Sequence, residues 1–457
     1  MNRLLPVVPL AGALALLAPV ALAAPGDLDP AFGLDGRALV GFGPGVAQAR
    51  AMARFPDGRL VLAGSSGGDV FDDYCAITVL TAAGVVDPSF GTDGRLEIDF
   101  DLGRVNTCTS VAVQPDGRIV LAGSRDTGTP EGTRDFVVMR LHADGSFDES
   151  FSDNGYAFVN FALPGPIVRS IDEANAIALQ PDGRIIVAGT AERAPGDYDF
   201  ALVRFMPDGT LDDSFGDGGR VALGIDDDGP TADRVSAVAI CPEGRIALAG
   251  VSENDEMRMV AMRLAADGQP DPSFNLVGHR VVDFGFAPHS VATSLVVRGD
   301  GGLLLGGYAG VDENVDFAVA ALAADGSDDP AFGNGGRVLI DLGAEDGAFA
   351  MTADASSRLV LAGVTIESGN IDFAASRLLP DGTPDADFGV DGQVTVAFDL
   401  VAADPSEIAR AVLVQPNGDV VLAGAAWTAN APPGAAFAAV SLQGDRDTLF
   451  ANGFEPD

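Results

Sequence analysis

The sequence predicts an all-β protein, a seven-bladed β-propeller of four-stranded antiparallel blades, and three observations point to this fold class. The motif D-P-x-F-G-x-x-G recurs at steps of 56 to 64 residues. A second motif, PDGRIVLAG in its cleanest copy, recurs between copies of the first. Each interval also holds four short segments rich in β-branched and aromatic residues, which favour strands over helices. The aromatic position of the first motif falls at Phe32, Phe90, Phe151, Phe215, Phe274, Phe332 and Phe388.

The four strands of a repeat, labelled a to d, read RLEIDF, TSVAVQ, RIVLAG and CAITVL where they are clearest. The turn between strands b and c reads QPDGR, in which Pro fixes the first turn position and Gly accepts a positive φ. A similar ADG or PDG turn follows strand d. These turns predict that neighbouring strands pair antiparallel.

Strand c is almost entirely apolar, as in LVLAG, IVLAG and IIVAG, and lacks the alternation of a sheet with one wet face. Both of its faces are therefore expected to be covered by neighbouring sheets. A radial arrangement achieves this and leaves only short, protected sheet edges. An open solenoid is the alternative, but it requires polar caps, and the first and seventh repeats look like the others.

The recurrent segments resemble those of the delta-60 repeat proteins, a family of bacterial secreted and surface proteins. The family's repeat carries LDPSFG, QPDGRIVLAG and DFALVRF segments, and the resemblance covers residues 26 to about 443. It implies a β-propeller of unknown function and supplies no catalytic residues. Several copies depart from the pattern, with FSDNG at Phe151, FNLVG at Phe274, GDGG at Gly299 and ASSR at Ala355.

The two ends of the chain differ from the repeats. Residues 1–23 have a positive Arg3, an apolar stretch and a small-residue site ending at Ala23, which predict a cleaved signal peptide, with an uncleaved anchor as the alternative. Residues 24–443 form the predicted propeller. Residues 444–457, which end in LFANGFEPD, are either an export signature or a shortened repeat that closes the ring against Phe32. We expect a secreted protein, extracellular or at the cell surface, with the periplasm as the alternative.

The charge of the chain excludes several partners. It carries 66 acidic and 27 basic residues, a net charge of -39, and every basic residue is Arg, which we attribute to codon usage. This charge repels nucleic-acid phosphates and anionic lipid heads. We therefore expect no nucleic-acid partner. No later stretch is long and apolar enough to span a bilayer, so we expect no membrane insertion after signal cleavage. We also expect a monomer.

Candidate binding residues lie in the a–b and c–d loops, which differ between repeats and emerge on one face. Variable loops on a rigid scaffold are the usual place for binding determinants. Carboxylate oxygens are calcium ligands, so a calcium site is the alternative to ordinary solvated loops, although no loop fits an EF-hand. The acidic residues of these loops include Asp69, Asp72, Asp73, Asp226, Asp227, Asp228, Asp312, Glu313 and Asp316.

Catalytic patterns are sparse. The three histidines, His142, His279 and His289, show neither a zinc-helix spacing nor a nucleophile elbow. A pair of carboxylates of the glycosidase kind remains open, because such pairs depend on spatial separation. Trp427, the single tryptophan, lies in the c–d region of the last repeat, where it either stacks on a sugar or packs against the protein.

The leading hypothesis is a non-catalytic binding or interaction scaffold for an extracellular protein or glycan, with no cofactor and with calcium as the alternative. The alternative is an extracellular hydrolase or lyase acting on glycans. An enzyme requires convergent carboxylates with perturbed pKa values in one pocket, whereas a scaffold can present a broad surface.

Two cysteines occupy comparable positions in adjacent repeats. Cys75 lies nine residues before the turn Gly84, and Cys108 lies nine residues before Gly117. An exported chain meets an oxidising compartment, so we predict a disulfide between them, with Cys241 free. The alternative is that all three are small buried hydrophobic residues.

Overall fold

A computed structural model of the protein describes residues 24–43, 45–67, 73–99, 106–127, 133–161, 170–225, 231–285, 287–311, 314–343, 345–367, 369–398, 400, 406–428 and 434–445. The predicted signal peptide and almost all of the C-terminal tail lie outside these residues. Within them the protein is all-β apart from one short 3-10 helix, Pro242–Gly244. None of its described helices combines the length and apolarity needed to cross a membrane.

The described residues form twenty-eight strands. In chain order the first are β1 (Arg37–Val40), β2 (Val46–Arg54), β3 (Leu60–Gly67), β4 (Asp73–Leu80), β5 (Arg95–Ile98), β6 (Asn106–Val113) and β7 (Ile119–Asp126). Next come β8 (Arg134–Leu141), β9 (Tyr156–Val159), β10 (Asp172–Leu179), β11 (Ile185–Ala194), β12 (Asp197–Phe205), β13 (Arg220–Leu223) and β14 (Ala232–Ile240). They are followed by β15 (Ile246–Glu253), β16 (Met257–Leu264), β17 (His279–Val281), β18 (His289–Val297), β19 (Leu303–Val311), β20 (Asn314–Leu322) and β21 (Arg337–Ile340). The last are β22 (Glu345–Ala353), β23 (Leu359–Glu367), β24 (Asn370–Leu378), β25 (Gln393–Val396), β26 (Glu407–Val414), β27 (Val420–Thr428) and β28 (Gly434–Leu442).

These strands pair into four-stranded antiparallel groups, giving a propeller-like fold. Three groups are separate sheets, and two eight-stranded sheets each consist of two such groups. A single parallel pair joins the two groups in each large sheet, Val46 with Ala435 in one and Tyr198 with Ala232 in the other. The strand order within a group is sequential, from β6 to β9 for example.

The sheets are out of phase with the sequence repeat. Strand a does not pair with strand b of its own repeat but with strand d of the preceding one, as β5 pairs with β4. The a–b connection therefore crosses from the outer strand of one group to the first strand of the next. The first strand in the chain follows the same rule, since β1 pairs with β28 near the C-terminus.

The first strands of the groups, which we call the inner strands, contact one another in succession. These contacts run from β2 through β6, β10, β14, β18 and β22 to β26, and β26 also contacts β2. Apolar clusters fill the spaces between groups that are consecutive in the chain. One joins Val61 and Ile77 to Leu121 and Met139, and another lies between the first and last groups. The strands predicted to be covered on both faces are buried along their lengths, as in β3 and β7.

Candidate functional site

Each inner strand has a β-bulge at the same place. The register of β2 against β3 shifts between Ala49 and Ala51, which leaves Arg50 as the extra residue, and equivalent shifts occur in the other six inner strands. A bulge re-aims a side chain by leaving it outside the ladder. The bulge residues are Arg50, Thr109, Asn175, Ser236, Thr293, Phe349 and Arg410.

The bulge explains the invariant glycine of the LAG segment. Gly64 pairs with Ala49, next to the bulge, and a Cβ on Gly64 would lie 1.9 Å from the Gln48 carbonyl oxygen. Such a contact is impossible without a backbone shift. The sequence indicated a small residue at this position because neighbouring sheets converge there. The structure shows that the steric restriction comes from the adjacent strand of the same sheet, to which the Gln48 carbonyl belongs.

All seven bulge residues line one cavity of about 560 Å³, which we call the inner cavity. Several of them also join neighbouring inner strands. Thr109 Oγ1 donates to the Ala174 carbonyl at 2.6 Å, and Asn175 Nδ2 donates to the Val235 carbonyl at 2.8 Å. Each acceptor is the residue immediately before the next bulge. The repeated backbone thus presents polar, aromatic or charged side chains of five types to one cavity.

Arg410 is the most perturbed cation of the inner cavity. Burial, followed by the charge of Arg50 on the adjacent inner strand, lowers the pKa of Arg410 to about 10. Its guanidinium lies 5.2 Å from the centre of the Phe349 ring. Among the residues that the structure describes, no carboxylate forms an ion pair with Arg410.

A third arginine of the same cavity is neutralised. Arg234 Nη1 lies 2.6 Å from Glu253 Oε2, and its guanidinium also stacks over Tyr198. Arg234 is thus paired with a carboxylate, whereas the pKa of Arg410 is lowered by burial and by the charge of Arg50.

Most of the acidic residues proposed from the sequence lie outside the described structure. This applies to Asp69, Asp72, Asp226, Asp227, Asp228, Asp312 and Glu313, and to the side chain of Asp73. Trp427 is on β27, opposite Ala435, and is half-buried. His142 is a partly exposed turn residue, with Nε2 4.0 Å from Asp148 Oδ1.

Asp316 lies in a carboxylate cluster that the sequence did not indicate in full. One carboxylate oxygen each of Asp316, Asp341 and Asp346 lies within 4.8 Å of the others. Burial, with the charges of Asp341 and Asp346, raises the pKa of Asp316. Burial also raises the pKa of Asp346, although its Oδ2 accepts the Leu342 N–H at 2.6 Å. The three residues come from two consecutive four-stranded groups.

An equivalent cluster earlier in the chain has an amide in place of one carboxylate. Asp135 and Asp172 occupy the positions of Asp316 and Asp346, but Asn160 stands in the place of Asp341. The Asn160 amide donates to Asp135 Oδ1 at 2.9 Å. The later cluster has a carboxylate, Asp341, where this donor stands.

A second cavity, of about 440 Å³, borders the later cluster. Its lining includes His289, Tyr308, Glu345 and Asp346. Burial raises the pKa of Tyr308. An imidazole, a phenol and carboxylates in one cavity are groups that can exchange protons with a ligand.

The structure joins Cys75 on β4 and Cys108 on β6 in a disulfide, with a Cα–Cα distance of 5.0 Å. The bond links the first two groups in the chain. Cys241 is free and buried, immediately before the short helix.

The bulge residues were missed by the sequence analysis, although the sequence contains a signal for them. Each lies fourteen residues before the glycine of the LAG segment, from Arg50 and Gly64 to Arg410 and Gly424. This position varies while its neighbours repeat. A varying position inside a repeated strand marks a side chain that the fold itself does not require.

Several solved structures resemble the chain. A protein of unknown function from Dyadobacter fermentans is 14% identical with a TM-score of 0.44, and the match covers 75% of this chain and 98% of that one. The polysaccharide lyase Uly1 is 10% identical with a TM-score of 0.49, covering 88% and 91%. Chaetomium thermophilum Sqt1, bound to the N-terminus of ribosomal protein L10, is 13% identical with a TM-score of 0.48, covering 89% and 98%. Identities and TM-scores this low carry no argument about function.

No curated protein matches the sequence. Four segments match the family described as domain of unknown function (DUF5122) beta-propeller, at residues 114–151, 180–215, 241–274 and 356–388. Each segment begins at or near the turn between strands b and c, and each ends at the motif phenylalanine. These matches support a β-propeller repeat family of unknown function.

Proposed function

We propose that the four-stranded groups are seven blades of a closed propeller, of the delta-60 kind. The contact between β26 and β2, and the apolar cluster between the first and last groups, support closure. The pairing of β1 with β28 supports it further, because it completes the last group with a strand from the N-terminal end. Because the N-terminal strand β1 completes the sheet that contains β28, the junction between the two chain ends leaves no unpaired strand edge.

We further propose that the chain is exported after cleavage behind Ala23 and acts as a monomeric binding scaffold for an extracellular protein or glycan. The observation that carries this proposal is the inner cavity, where seven copies of one backbone position present five different types of side chain. A purely structural repeat has no need to vary this position. A cavity of several hundred Å³ is also of the size that small ligands occupy.

The test is a glycan and peptide array probed with the purified mature chain, residues 24–457, with and without calcium. Reproducible binding to one class of ligand supports the scaffold. Binding only in calcium would support a cation in the variable loops. An absence of binding to both arrays under both conditions contradicts the proposal.

The second candidate function is a glycan hydrolase or lyase, favoured by the cavity that borders Asp346 and contains His289 and Tyr308. The raised pKa of Asp346 keeps this carboxyl group protonated to higher pH than usual, as an acid catalyst requires. Oligosaccharide cleavage by the mature chain, followed by chromatography, tests this function. Loss of cleavage in Asp346→Asn and His289→Ala, with retention in Trp427→Ala, would place it in this cavity.

A further inference from the structure

The second cavity, of about 440 Å³, combines an apolar wall with a few polar side chains. The wall is formed by the side chains of Met257, Val315, Phe349, Val364 and Ile366. The polar side chains are those of His289, Tyr308, Glu345 and Asp346. No arginine or lysine belongs to the lining that the structure describes. Pockets for small organic ligands have this composition, in which a few polar groups fix the orientation of an apolar body.

Two polar atoms of this lining are buried without a hydrogen-bond partner. Asp346 is 1% exposed and accepts hydrogen bonds from the Leu342 N–H and the Thr365 side chain. Its Oδ1 atom is left without a partner among the described residues, and so is Nδ1 of His289. Buried polar atoms in folded proteins are almost always hydrogen-bonded. Two exceptions in the lining of one cavity therefore indicate an occupant that supplies the missing partners.

The charge at this end of the cavity is negative. Asp316 precedes a phenylalanine at the start of strand d, as three other aspartates do. Each of those three has an amide or guanidinium partner: Asp135 has Asn160, Asp199 has Arg193 and Asp372 has Asn370. In the described part of the chain Asp316 has no such donor, and it lies instead within 4.8 Å of carboxylate oxygens of Asp341 and Asp346. Burial, and then the charges of those two carboxylates, raise the pKa of Asp316.

We propose that the second cavity binds an organic ammonium ion, a ligand in which an apolar group carries a positively charged nitrogen. The ammonium group donates to the Asp346 carboxylate and offsets the repulsion among the three clustered carboxylates. The apolar group contacts the aliphatic wall and the rings of Tyr308 and Phe349, whose faces also attract a cation.

This inference goes beyond the proposed scaffold function, which depends on the inner cavity. An ammonium group on an apolar stem has two sources, a free amine and the lysine side chain of a peptide. The test separates them.

The experiment is isothermal titration calorimetry of the mature chain with 2-phenylethylamine, its neutral analogue 2-phenylethanol, a capped peptide with a single lysine, and calcium chloride. We expect wild type to bind the amine or the peptide. The alcohol should bind about tenfold more weakly or worse, because it makes no charge-assisted hydrogen bond to a carboxylate. Binding of the amine without the peptide assigns a free amine, and the reverse assigns a lysine side chain.

Two variants test the two ends of the cavity. Asp346→Asn removes the charge at constant size and should weaken binding of the ammonium ligand about tenfold or more. Gly347→Val fills the cavity, because a Cβ on Gly347 would lie 3.6 Å from Phe349 Cζ and 3.9 Å from Tyr308 Cδ1, which are ordinary contact distances. This variant should lose binding. The control is Asp135→Asn, which changes the equivalent of Asp316 in another four-stranded group and should bind as wild type does.

Thermal unfolding shows that each variant is folded, and the comparison of amine with alcohol in wild type does not depend on any variant. Equal affinities for the amine and the alcohol would show that the carboxylates take no part, and would overturn the inference. Full retention of amine binding in folded Asp346→Asn and Gly347→Val would also overturn it. So would binding of calcium with neither ammonium ligand, which would indicate a metal site only. If the array ligand still binds in these cases, the scaffold function stands.

Discussion

Arg263 Nε lies 2.7 Å from Asp271 Oδ2, and both residues are buried. The same guanidinium lies 4.8 Å from the ring centre of the motif residue Phe274 and donates through Nη1 to the Ala324 carbonyl at 2.5 Å. Arg263 lies on strand d of its repeat. Its side chain therefore links that strand to the turn after it and to the equivalent turn of the next repeat. The arrangement of arginine, aspartate and phenylalanine recurs at Arg140, Asp148 and Phe151, at Arg204, Asp212 and Phe215, and at Arg377, Asp385 and Phe388.

We predict that Arg263→Met destabilises the protein by about 3 to 5 kcal/mol, because it leaves Asp271 buried without its partner. Arg263→Lys should also destabilise it, since an ammonium group cannot reproduce the fork of donors. Denaturant unfolding monitored by circular dichroism measures both effects. The exposed pair of Arg258 and Glu256 supplies the control, and Arg258→Met should cost no more than about 1 kcal/mol. Equal losses for the buried and exposed arginines would contradict the prediction.

The disulfide between Cys75 and Cys108 should stabilise the first two groups. It spans a sequence separation of 33 residues, for which the chain-entropy estimate is about 3 to 4 kcal/mol. We expect reductant to lower the free energy of unfolding by this order in wild type and to leave Cys75→Ala/Cys108→Ala unchanged. Non-reducing peptide mapping should recover the linked peptide. Complete alkylation of both thiols in native, unreduced protein would refute the bond.

The bulge should make the LAG glycine intolerant of any side chain. A Cβ on Gly189 would lie 1.9 Å from the Glu173 carbonyl oxygen. We expect Gly189→Ala to destabilise the protein by about 3 kcal/mol through forced backbone movement. Gly299→Ala is the matched control, because its Cβ meets nothing within 4 Å, and it should change stability by less than about 0.5 kcal/mol. Thermal and denaturant unfolding of the two variants measure both changes in stability, and equal changes would contradict the prediction.

Asp172 should make the free energy of unfolding depend on pH, with a sign that follows from its raised pKa. Burial is the largest cause that raises its pKa to about 6, and the charge of Asp135 adds to it, against the hydrogen bonds from Phe161 and Ser170. Because the pKa of Asp172 in the folded state exceeds the ordinary value of 3.8, protonation favours the folded state. This contribution is complete below about pH 4 and is lost as the pH rises through 6.

The measurement compares wild type with Asp172→Asn, whose neutral side chain does not titrate. The variant should gain about 2 to 3 kcal/mol relative to wild type between pH 4 and pH 7. Parallel stability curves for the two proteins over this range would show that Asp172 does not titrate there.

The fold class was accessible from the sequence because its evidence is local. Strand c is buried on both faces, and an uninterrupted apolar run with turn residues at each end reports that directly. The proximity of Cys75 and Cys108 could also be predicted from the sequence. Residues at the same distance from equivalent turns lie at the same level in neighbouring four-stranded groups.

The structural role of arginine could not be predicted from the sequence in the same way. We attributed the exclusive use of Arg to codon usage, but Arg263 and its equivalents form a fork of hydrogen bonds that lysine could not make. The donors of this fork bind Asp271, Ser273 and the Ala324 carbonyl, which lie in two different turns. Its partners are identified only when the chain is folded.

By itself, the sequence determined the strands, their turns, the repeat and the cysteine pair, because each follows from neighbours within one repeat. Only the tertiary structure decided that strand a completes the preceding group, that Arg50 and Arg410 share a cavity, and that Asp316, Asp341 and Asp346 converge. These features depend on the register and contacts between strands that are distant in sequence. A shift of one residue in such pairing turns a side chain to the opposite face, so composition and spacing cannot specify them.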